Sequence, residues 1–373
     1  MLQKLLRICL KTLLVLAIPL AIAGCHLFRV IGASPDAAEI AAYENLPYYR
    51  EGVFQSPEAL AYYPDRATGP GPSGWIRFLL SNPDAPASPL PMVALNADSF
   101  AAPPADLAAW WLGHASLIIE LEGKRLLVDP VFGNAAPLPG IVRRFGAAPI
   151  KRADLPPLDV VLITHDHYDH LEYATMRALR ERDTQFVVPY GVGAHLKKWG
   201  VRPERIHEIG WGETYHADGL TIAAEPGIHY SGRTFARRNT TLWASYALKG
   251  ERFRVFVSGD SGYGKHFRDI GAKHGPFDLA FLEIDGWNPG WPKTHMFPAE
   301  VIQTYHDIGA RAMIPVHWGV FDLARHPWNE SIRIVRDLAL RDGKVKLLTP
   351  RMGERVTPES VTQEWFAVQE TED

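Results

Sequence analysis

Two patterns of apolar and polar positions divide the chain, and the change falls near Ala105. From about Ser34 to Pro104 the apolar positions follow no sustained period, and Pro and Gly cluster, as at 69–74. This pattern predicts an irregular arm. Aromatic side chains recur along the arm, so we expect it to pack on the domain that follows; a wholly disordered tether is the alternative. After Ala105, short apolar runs alternate with turns and amphipathic segments, which is typical of an α/β layered domain.

The apolar runs predict strands and the amphipathic segments predict helices. Strands are predicted at 116–121, 125–128, 159–164, 185–188, 220–224, 242–248, 253–258, 279–284 and 312–316. Helices are predicted at about 171–182, 191–199, 298–308 and 330–340. Pro298 stands at a first-turn position, where its missing N–H costs nothing. We find no internal repeat and expect no membrane-spanning helix after the N-terminal segment.

The N-terminal segment has the composition of a secretion signal. Lys4, Arg7 and Lys11 precede an apolar stretch that ends in Ile-Ala-Gly-Cys. A plain signal peptide needs no cysteine after the small residues, so Cys25 makes the segment resemble a bacterial lipoprotein signal. An uncleaved anchor is the alternative, but the stretch is shorter than the roughly 20 residues that span a bilayer.

We therefore predict a signal peptide at 1–24 and a lipid on Cys25, which attaches the protein to a membrane surface. The predicted location is the cell envelope. His26 stands where an inner-membrane retention Asp would be expected, so in a two-membrane bacterium we expect the periplasmic face of the outer membrane. The arm then spans 25–105.

Charge and cysteine content narrow the possible chemistry. The formal net charge is −3 and no run of Lys or Arg marks a phosphate-backbone track, so nucleic acid is not an expected partner. Both cysteines, Cys9 and Cys25, lie in the first 25 residues. Any metal site in the rest of the chain must therefore use His, Asp or Glu.

A cluster of metal-ligand residue types follows the predicted strand at 159–164. The sequence there is His-Asp-His-Tyr-Asp-His, which offers His165, His167, Asp169 and His170 within six residues. Crowded imidazoles would repel one another on protonation unless a metal held them. A turn after a strand can direct the first two histidines to one metal, while Asp169 and His170 face a second about 3.5–4 Å away.

Three later predicted strands each lead to one further candidate ligand: His229, Asp260 and His317. Taken alone, each could equally be a metal ligand or a structural residue, that is, a core histidine or a turn aspartate. Together with the cluster they complete a site for two Zn²⁺ ions per chain, although such a site also accepts other divalent ions. We assign His165, His167 and His229 to one ion, Asp169, His170 and His317 to the other, and Asp260 to a bridging position.

These residues resemble the metallo-β-lactamase superfamily over about 107–345. The resemblance implies a four-layer αβ/βα sandwich with a dinuclear site along one edge, a hydrolase domain at 106–350 and a C-terminal tail at 351–373. Common zinc β-lactamases have Cys where this chain has Asp260, which argues against that activity.

Within the superfamily, the likeness is greatest to the N-acyl-phosphatidylethanolamine-hydrolysing phospholipase D group. It rests on Trp-Leu-Gly-His-Ala at 111–115, His-Asp-His-Tyr-Asp-His-Leu at 165–171, Ser-Gly-Arg at 231–233, Asn-Thr-Thr-Leu-Trp at 239–243, Ser-Gly-Asp at 258–260 and Pro-Val-His-Trp-Gly-Val-Phe at 315–321. Glu172 departs from the pattern, since Asp is expected there.

The resemblance implies a phosphodiesterase of the phospholipase D type, with a phospholipid substrate. His295 and Asp169 are the predicted catalytic residues, His295 binding the phosphate or protonating the leaving oxygen. His114, Arg233 and His326 are predicted substrate contacts; the alternatives are a core histidine, a solvated arginine and a plain loop residue. A sugar-lactone hydrolase, acting on a small ester, and a non-catalytic surface lipoprotein remain open as functions, as does the oligomeric state.

Overall fold

The computed structural model describes residues 21–56, 84–138 and 140–367. The start of the predicted signal peptide, the centre of the predicted arm and the end of the predicted tail lie outside the described residues. Residues 21–30, which include Cys25, are helical. Among the described residues, no helix has both the length and the apolar character needed to cross a membrane.

The described strands are, in chain order, β1 (Tyr49–Arg50), β2 (Val53–Phe54), β3 (Leu107–Gly113), β4 (Ser116–Leu121), β5 (Lys124–Val128), β6 (Val160–Leu162), β7 (Gln185–Pro189), β8 (Ile206–Ile209), β9 (Thr214–Ala217), β10 (Leu220–Glu225), β11 (Ser245–Lys249), β12 (Arg254–Val257), β13 (Leu279–Glu283), β14 (Met313–Val316) and β15 (Arg355–Val356). The helices after residue 30 are α1 (Ala37–Tyr43), α2 (Tyr173–Leu179), α3 (Gly193–Lys198), α4 (His266–His274), α5 (Pro298–Asp307) and α6 (Glu330–Asp342). Short 3₁₀ turns occur at Ala97–Phe100, Arg152–Asp154, Pro203–Arg205 and Phe235–Arg237.

Two mixed sheets face each other across the main core. One has the strand order β15-β3-β4-β5-β6-β7-β8 and the other has the order β14-β13-β12-β11-β10-β9. Alternate residues of β3, such as Ala109 and Trp111, join the core between the sheets, while Ala108 and Trp110 face the opposite side. Helices α2 and α3 cover that opposite side, and α4, α5 and α6 cover the other sheet. The predicted α/β sandwich is confirmed.

Helix α4 was absent from the sequence prediction for an identifiable reason. Only Phe267 and Ile270 give its core-facing side an apolar character, and Gly271 lowers the helix propensity at its centre. The glycine is needed because a Cβ there would overlap the backbone carbonyl of Asp307 at the end of α5. The close packing of α4 against α5 therefore requires a glycine that weakens the helix pattern in the sequence.

Segments near both ends of the described chain pack on the sandwich. Tyr43 of α1 and Phe54 of β2 form a small apolar cluster with Trp243. At the other end, β15 pairs with β3, and Trp365 stacks on Trp318 with ring centroids 5.3 Å apart. Since Trp318 follows His317 directly, the C-terminal segment supports the backbone of a predicted ligand.

Candidate metal centre

The predicted ligands gather at one edge of the sandwich, where several strands end. The loop at 165–170 follows β6, and Asp260 follows β12. His317 follows β14 without an intervening residue. Because β12, β13 and β14 run parallel, their carboxyl ends meet at the same edge and bring residues distant in sequence together.

One group contains His165, His167, His229 and Asp260, whose ligand atoms lie within 4.8 Å of one another. The Nε2 of His165 is 2.9 Å from Nδ1 of His167, and Nε2 of His229 is 3.3 Å from that same Nδ1. Three imidazole nitrogens therefore converge on one point, as sequence analysis predicted for the first metal ion.

A second group contains Asp169, His170 and His317, and the structure adds His114 to it. The Nε2 of His114 lies 2.9 Å from Oδ2 of Asp169, and its ring centroid is 4.1 Å from that of His317. His114 is buried, so it faces the ligands rather than solvent. His114 thus contacts a predicted metal ligand, and its predicted contact with substrate stays a prediction.

Asp260 connects the two groups. Its Oδ2 lies 3.1 Å from Nε2 of His317 and 3.2 Å from Nε2 of His170, both in the second group. The same oxygen is 3.7 Å from Nε2 of His165 and 3.6 Å from Nε2 of His229, both in the first. One carboxylate is therefore within reach of both positions, as a bridging ligand requires.

The donor set fits divalent cations. Buried polar atoms are almost always hydrogen-bonded in native proteins. Among the described residues, however, Oδ1 of Asp260, Nδ1 of His114 and Nε2 of His170 and His317 are buried and make no hydrogen bond. Metal ligands offer lone pairs that no hydrogen-bond donor of the protein meets, and this cluster has that property.

The electrostatics of the centre point the same way. Burial lowers the pKa of His165 and His229 well below the usual value, which keeps both rings neutral and able to offer a lone pair. Burial is the largest influence on His170 and His317 and opposes their protonation, but the carboxylates of Asp260 and Asp169 together outweigh it, and the pKa of both rings is raised. The carboxylates attract positive charge here, and bound cations would take the place of these protons.

Asp129 supports the centre and was missed by sequence analysis. Its Oδ2 lies 2.8 Å from Nδ1 of His170 and accepts a 2.6 Å hydrogen bond from the Thr164 hydroxyl, while its Oδ1 accepts one from the Thr164 backbone. A carboxylate on the far nitrogen of a ligand histidine fixes the tautomer of that ring. The available signal was an acidic residue directly after the apolar run at 125–128.

His295 stands beside both groups and has a buried partner. Its Nδ1 lies 2.8 Å from Oε2 of Glu283, and its ring centroid is 5.1 Å from that of His229 and 5.0 Å from that of His317. Glu283 is fully buried at the end of β13. Sequence analysis missed Glu283, although a charged residue closing an apolar strand was the signal.

Two predicted substrate contacts lie outside these groups. The Nε2 of His326 is 3.0 Å from Oδ1 of Asp285, and its ring stacks on Trp287. Arg233 is buried and its guanidinium donates to the carbonyls of Val30, Asp166 and Leu171. These bonds occupy the guanidinium, so the prediction of a substrate contact at Arg233 is corrected: this side chain holds backbone segments together.

Comparison with known proteins agrees with this geometry. A family model described as a β-lactamase superfamily domain matches residues 124–318. The chain belongs to the metallo-β-lactamase superfamily. The fold of this superfamily is also seen in Igni18, a metallo hydrolase from the archaeon Ignicoccus hospitalis, with a TM-score of 0.54 and 19% identity over 68% of this chain and 99% of that chain.

Two sequence relatives extend beyond the family model. An uncharacterized protein of Mycobacterium tuberculosis is 39% identical over 349 residues, 90% of this chain and 92% of that protein. The N-acyl-phosphatidylethanolamine-hydrolyzing phospholipase D 1 of Caenorhabditis elegans is 31% identical over 294 residues, 73% of this chain and 82% of that protein. Superfamily membership and the two His/Asp groups together make this chain a metal-dependent hydrolase.

Proposed function

We propose that the protein is a dinuclear zinc phosphodiesterase of the phospholipase D type, acting on N-acyl-phosphatidylethanolamine-like lipids. The observation that carries the proposal is the position of Asp260 between two histidine groups, with His295 beside both. When bound in such a site, two divalent ions activate water at neutral pH and polarise a phosphoryl oxygen.

The side chains of the chain supply the remaining steps. His165, His167 and His229 would hold one ion, and Asp169, His170 and His317 would hold the other. Water adds to phosphorus, and the bond from phosphorus to the headgroup oxygen breaks. The Nε2 of His295 donates a proton to that oxygen, so that an N-acylethanolamine leaves as an alcohol and phosphatidic acid remains. The proton that the attacking water loses restores His295.

Similarity to the C. elegans phospholipase supports the lipid substrate, since that relative is named for this reaction and aligns over most of both chains. A second support is the loop between β13 and α5, which carries Trp287 and Trp291 near His295. Both indoles are only partly buried, and a Cβ at Gly286 in this loop would contact the His295 ring. Partly exposed indoles are the side chains that settle at a lipid–water interface.

We also propose that the protein is a secreted lipoprotein, attached through Cys25 to the periplasmic face of the outer membrane. Cys25 is exposed in the structure, as acylation requires. A lipid on this residue would hold the site near the bilayer and raise the effective concentration of a lipid substrate.

The experiment compares three substrates with the same zinc-loaded protein: N-acyl-phosphatidylethanolamine in mixed micelles, a short water-soluble phosphodiester and a sugar lactone. We expect the lipid to be hydrolysed fastest, with a rise in rate above its critical micelle concentration. The Asp260→Ala variant, purified in parallel, shows how much of each rate comes from contaminating hydrolases. Faster hydrolysis of the lactone would contradict the lipid assignment and favour a lactonase with the same site.

A further inference from the structure

A segment of the N-terminal arm is hydrogen-bonded to the C-terminal end of α3. We call residues 28–33 the N-terminal strap. Lys198 donates to the carbonyls of Phe28 and Gly32, at 2.8 Å each, and the Trp199 indole N–H donates to the carbonyl of Arg29. The strap is therefore fixed along the end of α3.

A chain of hydrogen bonds leads from the strap to the first ligand group. The backbone N–H of Ala33 donates to Nδ1 of buried His195 at 3.0 Å. Since Nδ1 accepts, the ring proton of neutral His195 is on Nε2, which lies 3.1 Å from Oδ2 of Asp166. Asp166 stands between His165 and His167 in the sequence. The strap thus selects the tautomer that binds the ligand loop.

Asp166 is held on its other side as well. Its Oδ1 accepts a 2.6 Å hydrogen bond from the backbone N–H of Gly232, in the loop that carries His229. Arg233 lies in the same loop as Gly232 and donates to the carbonyls of Val30 in the strap and of Asp166. It therefore joins the strap to both loops that carry the first group of histidines. All three histidines of the first group are therefore tied to a network that ends in the strap.

We propose that the N-terminal strap is a positioning element of the metal centre, acting through His195 and Asp166 on the ion position formed by His165, His167 and His229. Groups that orient metal ligands without touching the metal typically contribute about 10- to 100-fold to metal affinity or activity. The inference rests on the proposed dinuclear site, but not on the identity of its substrate.

Gly32 provides a direct test. It has a φ of +76°, and a Cβ at this position would overlap the imidazole of His195. Gly32→Ala should displace the strap or the ring. Gly52→Ala is the matched control, because Gly52 has a φ of +79° in the same arm but no atom within 4 Å of its Cβ position. Both substitutions carry the backbone strain, and only one reaches His195.

The measurement is zinc release from the full chain in detergent, titrated with a chromophoric chelator. We expect Gly32→Ala to release one of two zinc equivalents at a chelator concentration about 10- to 100-fold below that needed for wild type, and Gly52→Ala to match wild type. In a His195→Ala background, which removes the clashing ring, Gly32→Ala should add no further loss.

Several results would overturn the inference: release from Gly32→Ala at the wild-type concentration, equal losses in both glycine variants, or an additive loss in the His195→Ala background. If Gly32→Ala does not accumulate as folded protein, His195→Ala alone tests the inference, since it opens space rather than filling it; zinc release from His195→Ala at the wild-type concentration would then overturn it. Wild-type protein that binds no zinc would instead contradict the proposed dinuclear site.

Discussion

The buried carboxylate of Glu283 and Nδ1 of His295 are 2.8 Å apart, and this contact leaves Nε2 of His295 as the nitrogen available to a substrate. The other oxygen of Glu283 accepts hydrogen bonds from the backbone N–H groups of Met296 and Ser261. Glu283 is therefore anchored on three sides, and its direction toward His295 is set by the backbone.

We predict that Glu283→Gln lowers kcat about 10²-fold and leaves KM and the zinc content unchanged. The amide oxygen of the glutamine would retain the two backbone bonds, so the NH₂ group would face Nδ1 of His295. The neutral ring would then accept the amide N–H at Nδ1 and carry its only proton on Nε2. The doubly protonated ring, which donates from Nε2 to the leaving oxygen, would lose its carboxylate partner at Nδ1. Steady-state kinetics and elemental analysis provide the measurement.

Glu225→Gln is the control for this substitution. Glu225 is also a buried glutamate, but it contacts Lys273 and His274. We expect its kcat to equal that of wild type. Loss of a zinc equivalent from Glu283→Gln would place Glu283 among the metal ligands and contradict a role that acts through His295.

Asp260→Ala and His295→Ala should separate metal binding from turnover. Removing Asp260 takes a carboxylate from both ligand groups, so we predict loss of activity together with part of the metal. His295 has its Nδ1 on Glu283, and we predict that His295→Ala keeps about two metals per chain and loses mainly turnover. Elemental analysis that shows a missing equivalent in His295→Ala would make this residue a ligand; unchanged turnover would make it structural.

Stability should decrease on acidification because of His266. This ring is buried in α4 with Nε2 3.0 Å from the Ser261 hydroxyl, and burial lowers its pKa to about 4. In the unfolded chain the pKa of this histidine is about 6.5. Between about pH 6.5 and pH 4 the unfolded chain therefore binds a proton at His266 and the folded chain does not. The contribution of neutral His266 to the free energy of unfolding is therefore fully present above about pH 6.5. It is lost as the pH falls toward 4, and the total loss is about 3 kcal/mol.

Urea unfolding of metal-free protein at pH 7 and pH 5 measures this effect. We predict that His266→Gln loses less free energy of unfolding between the two pH values than wild type does. His216→Gln, at an exposed position on β9, is the control and should behave like wild type. An equal acid-induced loss in His266→Gln and wild type would exclude His266 as the source.

Lipidation at Cys25 is tested by metabolic labelling with palmitate. We predict that wild type is labelled and recovered with membranes, and that Cys25→Ser is unlabelled and soluble or unprocessed. A prolipoprotein needs the thiol for acylation, which a serine hydroxyl does not replace. Equal labelling of the two proteins would contradict the lipoprotein assignment.

Much of the candidate site was predictable from sequence because its signals are local. The run His165–His170 concentrates four potential ligands, and such spacing has few explanations other than metal binding. His229, Asp260 and His317 each follow an apolar run that predicts a strand, and ends of neighbouring strands meet at a sheet edge. The α/β layered class follows from alternating apolar runs and amphipathic segments, without knowledge of any long-range contact, and the four-layer sandwich is what the resemblance to the superfamily implies.

Other features depend on contacts between residues distant in sequence. Arg233 was predicted to contact the substrate, but its guanidinium donates to carbonyls that include Val30, about 200 positions away. The direction of a side chain is set by the packing of whole elements, which spacing does not encode. The roles of Asp129, Glu283 and His195 were hidden for the same reason: a hydrogen bond across the fold leaves no periodic trace in the sequence, and only the tertiary structure brings its two ends together.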